Sequence, residues 1–332
     1  MIRVTHYMRR PEFGVYSLER LYEDVRTHLP ADFQVSICVS RLFSRGLFGR
    51  LYDIVRSRYC QGDVNHVTGD VHFLTYLMDR RRTVLTILDC VTLERLQGFK
   101  RWLLWLFWYW LPEKRCAVII VISEATRQQV LQHLHCNPDK VRVIYCNVSE
   151  EFKPVPKPFN ASRPRILHIG TTPNKNLERL VAALESLGIE LVIIGKLTES
   201  QSHALKQYRV SYDNYVNLSR EALVEQYYRC DVLLFASTYE GFGLPIVEAN
   251  AVGRAVVTSN IWSMPEVAGD AACLVDPFDV ASIRAGICRV IEDAAYRKHL
   301  VERGFENVKR FHIETIAAQY AALYRDIHAR TN

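Results

Sequence analysis

The stretch Ser237-Thr238-Tyr239-Glu240-Gly241-Phe242-Gly243-Leu244-Pro245-Ile246-Val247-Glu248-Ala249 decides how this chain folds. It follows Val232–Ala236, an unbroken apolar run that reads as a fully buried strand. It opens a helix, because Leu244-Pro245 places proline in the first turn, where a missing N–H costs nothing. Gly241 and Gly243 let backbone approach a ligand closely, and the free N–H groups at Gly243–Leu244 attract a phosphate. Glu240 lies on the loop and Glu248 about one turn inside the helix, so two carboxylates border an anion site. One carboxylate can accept from both hydroxyls of a ribose diol, and the other from those of a hexose.

Working outward, the same strand-then-helix rhythm repeats along the chain, the pattern of a parallel sheet. In the second half the expected strands are Arg165–Ile169, Glu190–Ile194, Tyr215–Asn217, Val232–Ala236, Ala255–Thr258 and Ala272–Val275. In the first half they are Arg3–His6, Gln34–Val39, Asp63–Val67, Val84–Leu88, Ala117–Ile122 and Val141–Tyr145, with Val15–His28 and Ser123–His135 as clear helices. Between the halves, Phe152-Lys153-Pro154-Val155-Pro156-Lys157-Pro158 breaks every periodicity and reads as an extended linker. The expected organisation is a first domain over 1–150, a linker over 151–164 and a second domain over 165–310. A final helix over 311–332 is expected to cross back to the first domain. Two such halves are two doubly wound α/β domains facing each other across a cleft, with ligands beyond the carboxyl ends of the strands.

A second chemical element is Leu167-His168-Ile169-Gly170-Thr171-Thr172-Pro173-Asn174-Lys175-Asn176-Leu177: strand, glycine loop, then a lysine entering a helix. An ammonium placed there can neutralise a diphosphate leaving group; the plainer alternative is a helix-start lysine facing water. No Asp-x-Asp motif occurs, so Lys175 and the amides at Gly243–Leu244 are expected to do the work of a metal ion. Neither a metal nor a cofactor is expected.

Glu240, seven intervening residues and Glu248, set in Glu-Gly-Phe-Gly-Leu-Pro, resemble the signature of the retaining glycosyltransferases of family 4. The likeness continues through Ala249–Ser259 and Met264–Ala272. The resemblance implies a GT-B fold and transfer of a sugar from a UDP-, GDP- or ADP-sugar to a saccharide or lipid-linked acceptor. Bacterial surface polysaccharide or glycolipid synthesis is the implied setting. It assigns the donor sugar to Glu240, the ribose to Glu248, and the phosphates to Lys175, Gly170 and the loop Gly241, Phe242, Gly243, Leu244. Residues near Lys196, Asn217 and Leu218 read the base, mostly through backbone. Thr171 and Asn174 stand where the family often has basic residues.

In the first half the likeness is looser. Arg9-Arg10-Pro11-Glu12-Phe13-Gly14-Val15-Tyr16-Ser17 takes the place of a glycine-rich loop, leaving Gly14 to approach the donor phosphates. Thr86-Ile87-Leu88-Asp89 matches a strand end where the family has His-Asp, which marks Asp89 as a catalytic candidate and sets Leu88 in the histidine's position. His66 and His72 are the histidines that could supply the missing contact, each with a purely structural reading beside it.

Lys100–Arg115 contains four of the five tryptophans, Trp102, Trp105, Trp108 and Trp110. The ten apolar residues Trp102–Leu111 make a helix of about 15 Å, half of a hydrocarbon core of about 30 Å, so the segment cannot span a bilayer. With its cationic flanks it suits an interface with a membrane or a lipid acceptor; burial in the core or in a dimer contact is the alternative.

Composition agrees with a soluble, well-packed protein of 332 residues, with 49% hydrophobic and 23% charged residues. The start, Met1-Ile2-Arg3-Val4-Thr5-His6, has no signal-peptide pattern, so a cytoplasmic protein, free or on the cytoplasmic face of a membrane, is expected. Of 42 Lys+Arg and 36 Asp+Glu, residues 1–150 hold 21 and 15, leaving 21 of each beyond. The basic half points to an anionic membrane or acidic acceptor; nucleic acid is not expected, because no nucleic-acid motif accompanies the charge. The nine cysteines form no Cys-x-x-Cys pair and read as reduced core residues. Rival functions are a nucleotide-sugar epimerase or phosphorylase of related fold, and an inactive binding subunit.

Overall fold

The computed structural model describes residues 1–10, 17–41 and 46–331. The chain divides into two compact units, one formed by Met1–Asn147 with the segment from Ile313 onward, the other by Val148–His312.

In the first unit β1 (Ile2–Met8), β2 (Phe33–Val39), β3 (Val64–Val67), β4 (Thr83–Ile87), β5 (Val118–Val121) and β6 (Val141–Val143) form one parallel sheet ordered β2-β1-β3-β4-β5-β6. Val4 pairs with Val35 on one side and Val64 on the other, and Val84 pairs with Val118. Strands β3, β4 and β5 are buried along their whole length; β4 and β5 are continuous in apolar and β-branched residues, while β3 buries Asn65 and His66 with hydrogen-bond partners. Helices α1 (Ser17–His28), α2 (Leu47–Tyr59), α3 (Val91–Arg95), α4 (Gly98–Leu104), α5 (Leu111–Lys114) and α6 (Glu124–Leu134) connect them. Ser123 caps α6 by accepting from the Thr126 N–H, which starts that helix one residue after its expected beginning. Helix α2 is not among the helices singled out in the sequence; of its large apolar residues Ile54 joins the core and the rest are exposed.

In the second unit β7 (Arg165–Ile169), β8 (Glu190–Ile194), β9 (Tyr212–Tyr215), β10 (Val232–Phe235), β11 (Ala255–Ser259) and β12 (Cys273–Val275) form a parallel sheet ordered β12-β11-β10-β7-β8-β9. Strand order reverses between β7 and β10, and in open parallel sheets the crevice beyond such a switch point is where ligands bind. Its helices are α7 (Leu177–Ala183), α8 (Glu199–Gln207), α9 (Arg220–Arg229), α10 (Leu244–Val252), α11 (Met264–Ala268), α12 (Val280–Glu292) and α13 (Ala294–Val308). The expected strand Tyr215–Asn217 lies instead at Tyr212–Tyr215. This is a polar, largely exposed edge strand with no apolar run to announce it, and Asn217, at φ +57°, has already left extended backbone.

The last helix, α14 (Ile313–Thr331), packs on α1 and on the sheet of the first unit. Its buried Tyr324 hydroxyl lies 2.7 Å from His66 Nδ1 and 3.0 Å from His6 Nε2, while His66 Nε2 lies 2.7 Å from Thr86 Oγ1. Six of the nine cysteines, Cys38, Cys90, Cys116, Cys146, Cys230 and Cys273, are buried, and all nine are free.

Candidate active site

Two loops flank the switch point of the second unit, residues 170–176 after β7 and 236–243 after β10. Backbone and side chains tie them together: the Thr238 N–H donates to the Asn174 carbonyl at 2.8 Å, and Asn174 Nδ2 donates to the Tyr239 carbonyl at 3.1 Å. Behind them the buried Asn176, at φ +64°, donates to the carbonyls of Ala236 and Pro277, at 3.1 and 2.7 Å. Left-handed backbone suits asparagine better than most side chains.

Lys175 projects from the first loop to Glu240 on the second, with Nζ 2.7 Å from Oε1. Its ammonium also lies 4.5 Å from the centre of the Phe235 ring. Gly170, at φ +93°, makes room for this arrangement, since a Cβ there would come within 2.9 Å of the Lys175 Cγ and Cε. Asn174 Nδ2 adds a longer contact to the same Glu240 oxygen at 3.4 Å. The two loops singled out in the sequence thus lie against each other, and Asn174 joins the carboxylate although it carries no charge.

Below the loop, Gly243 at φ +107° turns the chain into α10, with Pro245 in the first turn. Ser263 braces the loop from beneath by donating to the Glu240 and Phe242 carbonyls at 2.9 and 2.8 Å. The Phe242 side chain is buried against Phe311, their ring centres 5.6 Å apart. The Phe242 ring is thus part of the core. Gly241 and Leu244 are partly exposed at the loop and helix start.

Glu248 sits on the second turn of α10 and is buried. The Tyr227 hydroxyl donates to its Oε2 at 2.5 Å, and the Arg220 guanidinium lies 3.6 Å from its Oε1. Burial pushes its pKa above the usual carboxylate range, with Arg220 and the Tyr227 hydroxyl opposing that shift. Arg220 also donates to Glu151 at 2.8 Å and lies 4.6 Å from the centre of the Phe152 ring. Sequence reading missed Arg220 and Tyr227. Their spacing of seven places both on one face of α9, which is the signal that could have found them.

Lys196, Asn217 and Leu218 lie just beyond the carboxyl ends of β8 and β9, with Lys196 and Asn217 exposed. The Lys196 carbonyl accepts from Thr171 Oγ1 at 2.7 Å, which links this edge to the loop after β7.

A family profile described as Glycosyl transferases group 1 matches residues 149–307, and one described as Glycosyltransferase Family 4 matches 11–152. The chain belongs to glycosyltransferase family 4. The O-antigen chain mannosyltransferase B of Escherichia coli is 29% identical over 63% of this chain and 60% of its own length, so this chain spans less than two thirds of that relative. Among solved structures, a sucrose-phosphate synthase from Thermosynechococcus elongatus has 17% identity and a TM-score of 0.79 over 99% of this chain and all of its own. Anabaena HepE in complex with UDP-glucose has 16% identity and a TM-score of 0.78, over 98% of this chain and all of its own. At such identities the structural likeness shows the fold, the GT-B arrangement of two α/β units.

The family 4 residues expected in the first unit fall differently. Gly14 lies outside the described residues. Asp89 follows β4, and its Oδ1 accepts from the Val91 N–H at 3.0 Å. His66 is fully buried with both ring nitrogens engaged, and burial takes its pKa down to about 3. That makes it a core residue under α14. His72 is buried as well, with Nδ1 2.6 Å from the Trp108 carbonyl.

The tryptophan segment is a π-helical stretch over Trp105–Trp110, whose carbonyls at Phe107 and Trp108 take the side chains of Tyr76 and His72. Trp105, Trp108 and Trp110 pack against the core of the first unit; Trp105 donates to the His133 carbonyl and Trp108 to that of Asp70. Trp102 stays about half exposed. Among the described residues no helix is long and apolar enough to cross a membrane.

Proposed function

We propose that the protein moves a sugar from a nucleoside-diphosphate sugar onto a saccharide or lipid-linked acceptor, with retention of configuration and without a divalent metal or other cofactor. The observation that carries this reading is the Lys175–Glu240 pair at the switch point of the second unit, beside the helix start at Gly243–Leu244. A diphosphate arriving at the helix start would draw Lys175 to itself, since an ammonium and free N–H groups both favour the anion. Glu240, released from the ammonium, would accept from the donor sugar's hydroxyls. Glu248, held by Tyr227, would accept from the ribose. Lys175 would then stabilise the charge that develops on the leaving diphosphate, and the departing phosphate would take the acceptor's proton.

The mannosyltransferase relative and the UDP-glucose complex support a hexose on a nucleoside diphosphate, with surface polysaccharide or glycolipid synthesis as the setting. Asp89 and the loop containing Gly14 are assigned to the sugar and phosphates in the first unit. Peripheral contact with an anionic membrane on its cytoplasmic face belongs to the same reading.

Thermal denaturation of wild type and Glu248→Ala against UDP, GDP, ADP and their sugars, with and without EDTA, tests the proposal. A donor at 100 times its dissociation constant adds about 2.7 kcal/mol of stability. The expected result is that one base class shifts wild type, fails to shift the variant and is indifferent to EDTA. No shift from any nucleotide overturns donor binding; a shift abolished by EDTA overturns the metal-free reading. NMR of the new glycosidic bond then decides retention.

A further inference from the structure

Helix α2 carries all its large apolar residues but Ile54 on the outside. Its single acidic residue, Asp53, is buried together with Gly49, Ile54 and Ser57. Leu47, Phe48, Leu51, Tyr52, Val55 and Tyr59 are exposed, Phe48 by 88% and Tyr59 by 81%. At 3.6 residues per turn these six positions share one arc of about 140° along a helix of about 20 Å. Scattered exposed apolar residues are ordinary, but a continuous stripe of this size marks a surface that meets something else.

Charge on the stripe selects the partner. Arg58 is exposed on the same arc, and Arg56 flanks it, donating to the Val39 carbonyl at 2.6 Å. Arg41 is exposed nearby, 3.4 Å from the Tyr52 hydroxyl. The arc itself presents no carboxylate. A second copy of the same face would set arginine against arginine, whereas anionic headgroups neutralise them while the apolar stripe enters the acyl boundary. Arg50, 4.7 Å from the centre of the Trp108 ring, ties the helix to the aromatic segment beneath.

We propose that α2 docks the protein on an anionic lipid surface, lying in the headgroup layer with Phe48, Leu51 and Val55 inserted and Arg58 against phosphate. This deepens the membrane part of the reading above and assigns the contact to α2 in place of Trp102.

Vesicle flotation of the full chain tests it, with phosphatidylglycerol–phosphatidylcholine vesicles beside pure phosphatidylcholine. Wild type is expected to float only with the anionic vesicles, and less as salt rises. A Phe48→Ser, Leu51→Ser, Val55→Ser variant should lose about tenfold or more in partitioning, because burial of each large apolar side chain is removed. Arg58→Glu, which leaves the apolar stripe intact, should also weaken binding, while Trp102→Ser should bind like wild type. Nucleotide-dependent thermal shifts should persist in all three variants, separating failure of docking from failure of donor binding. The proposal is overturned if wild type ignores anionic vesicles, if the triple and Arg58 variants bind like wild type, or if loss follows only Trp102. Sedimentation showing a dimer that the triple variant dissolves would assign the face to a second copy and overturn it equally.

Discussion

Glu248 is held by Tyr227 on one oxygen and faces Arg220 with the other, yet burial makes its charged form unfavourable. Its pKa in the folded protein lies above that in the unfolded chain, so its contribution to stability is complete at acid pH. That contribution is lost as pH rises through the folded value. Glu248→Gln keeps the shape without the charge. Its melting temperature relative to wild type should therefore climb as pH rises above the ordinary glutamate value of about 4.3, while its response to nucleotide weakens. A difference that stays flat across that range would show that the carboxylate ionises in place without penalty. Glu240 and Glu248 were both legible as residues, since their spacing around a glycine-rich helix start is a local pattern. Their partners were not equally so. Lys175 was found because it follows a strand and a glycine, but Arg220 and Tyr227 reach Glu248 from a helix that nothing in the local pattern marks.

At the scale of elements, α14 is fastened to the first sheet by a buried polar relay in which the Tyr324 hydroxyl meets both His66 and His6. Tyr324→Phe leaves those ring nitrogens short of a partner in the interior, which should cost about 1–3 kcal/mol. The expected readout is a lower denaturation midpoint, with the hydrogen-exchange protection of α14 reduced more than that of α12. Equal loss everywhere would mean the relay does not fasten this helix in particular. Most strands of both sheets were read nearly to their ends because parallel strands covered on both faces are rich in apolar and β-branched residues. The edge strand β9 was misplaced because its exposed, polar face carries no such constraint. Helix α2 was not singled out, and most of its apolar residues are turned to solvent, an orientation that periodicity does not record.

Across the whole molecule, His6, His66 and His168 are buried, one unit holding the first two and the other the third. Burial lowers His66 to about 3 and His168 to about 4, and it takes His6 well below its ordinary value. A histidine depressed in the folded state contributes stability above its unfolded pKa of about 6.5, and that contribution drains away as pH falls from there toward the folded value. At pH 5, His66 and His168 should each have given up about 2 kcal/mol. Thermal midpoints should thus fall steeply between pH 6.5 and 5, and His66→Asn should flatten that slope even if it lowers the midpoint at neutral pH. An unchanged slope would mean His66 protonates without leaving the fold.

The sequence by itself determined the alternation of strand and helix, the break near the prolines of 154–158, and the two loops that carry Lys175 and Glu240 with the helix start before Glu248. Each is a local pattern set by backbone geometry or by what a buried strand must exclude. Only tertiary structure decided which residues meet. It sent His66 into the core beneath α14, buried the ring of Phe242, packed three tryptophans against the first unit's core, supplied Arg220 and Tyr227 to Glu248, and left α2 with an apolar face outward. Such outcomes depend on contacts between positions tens to hundreds of residues apart, and no local periodicity records them.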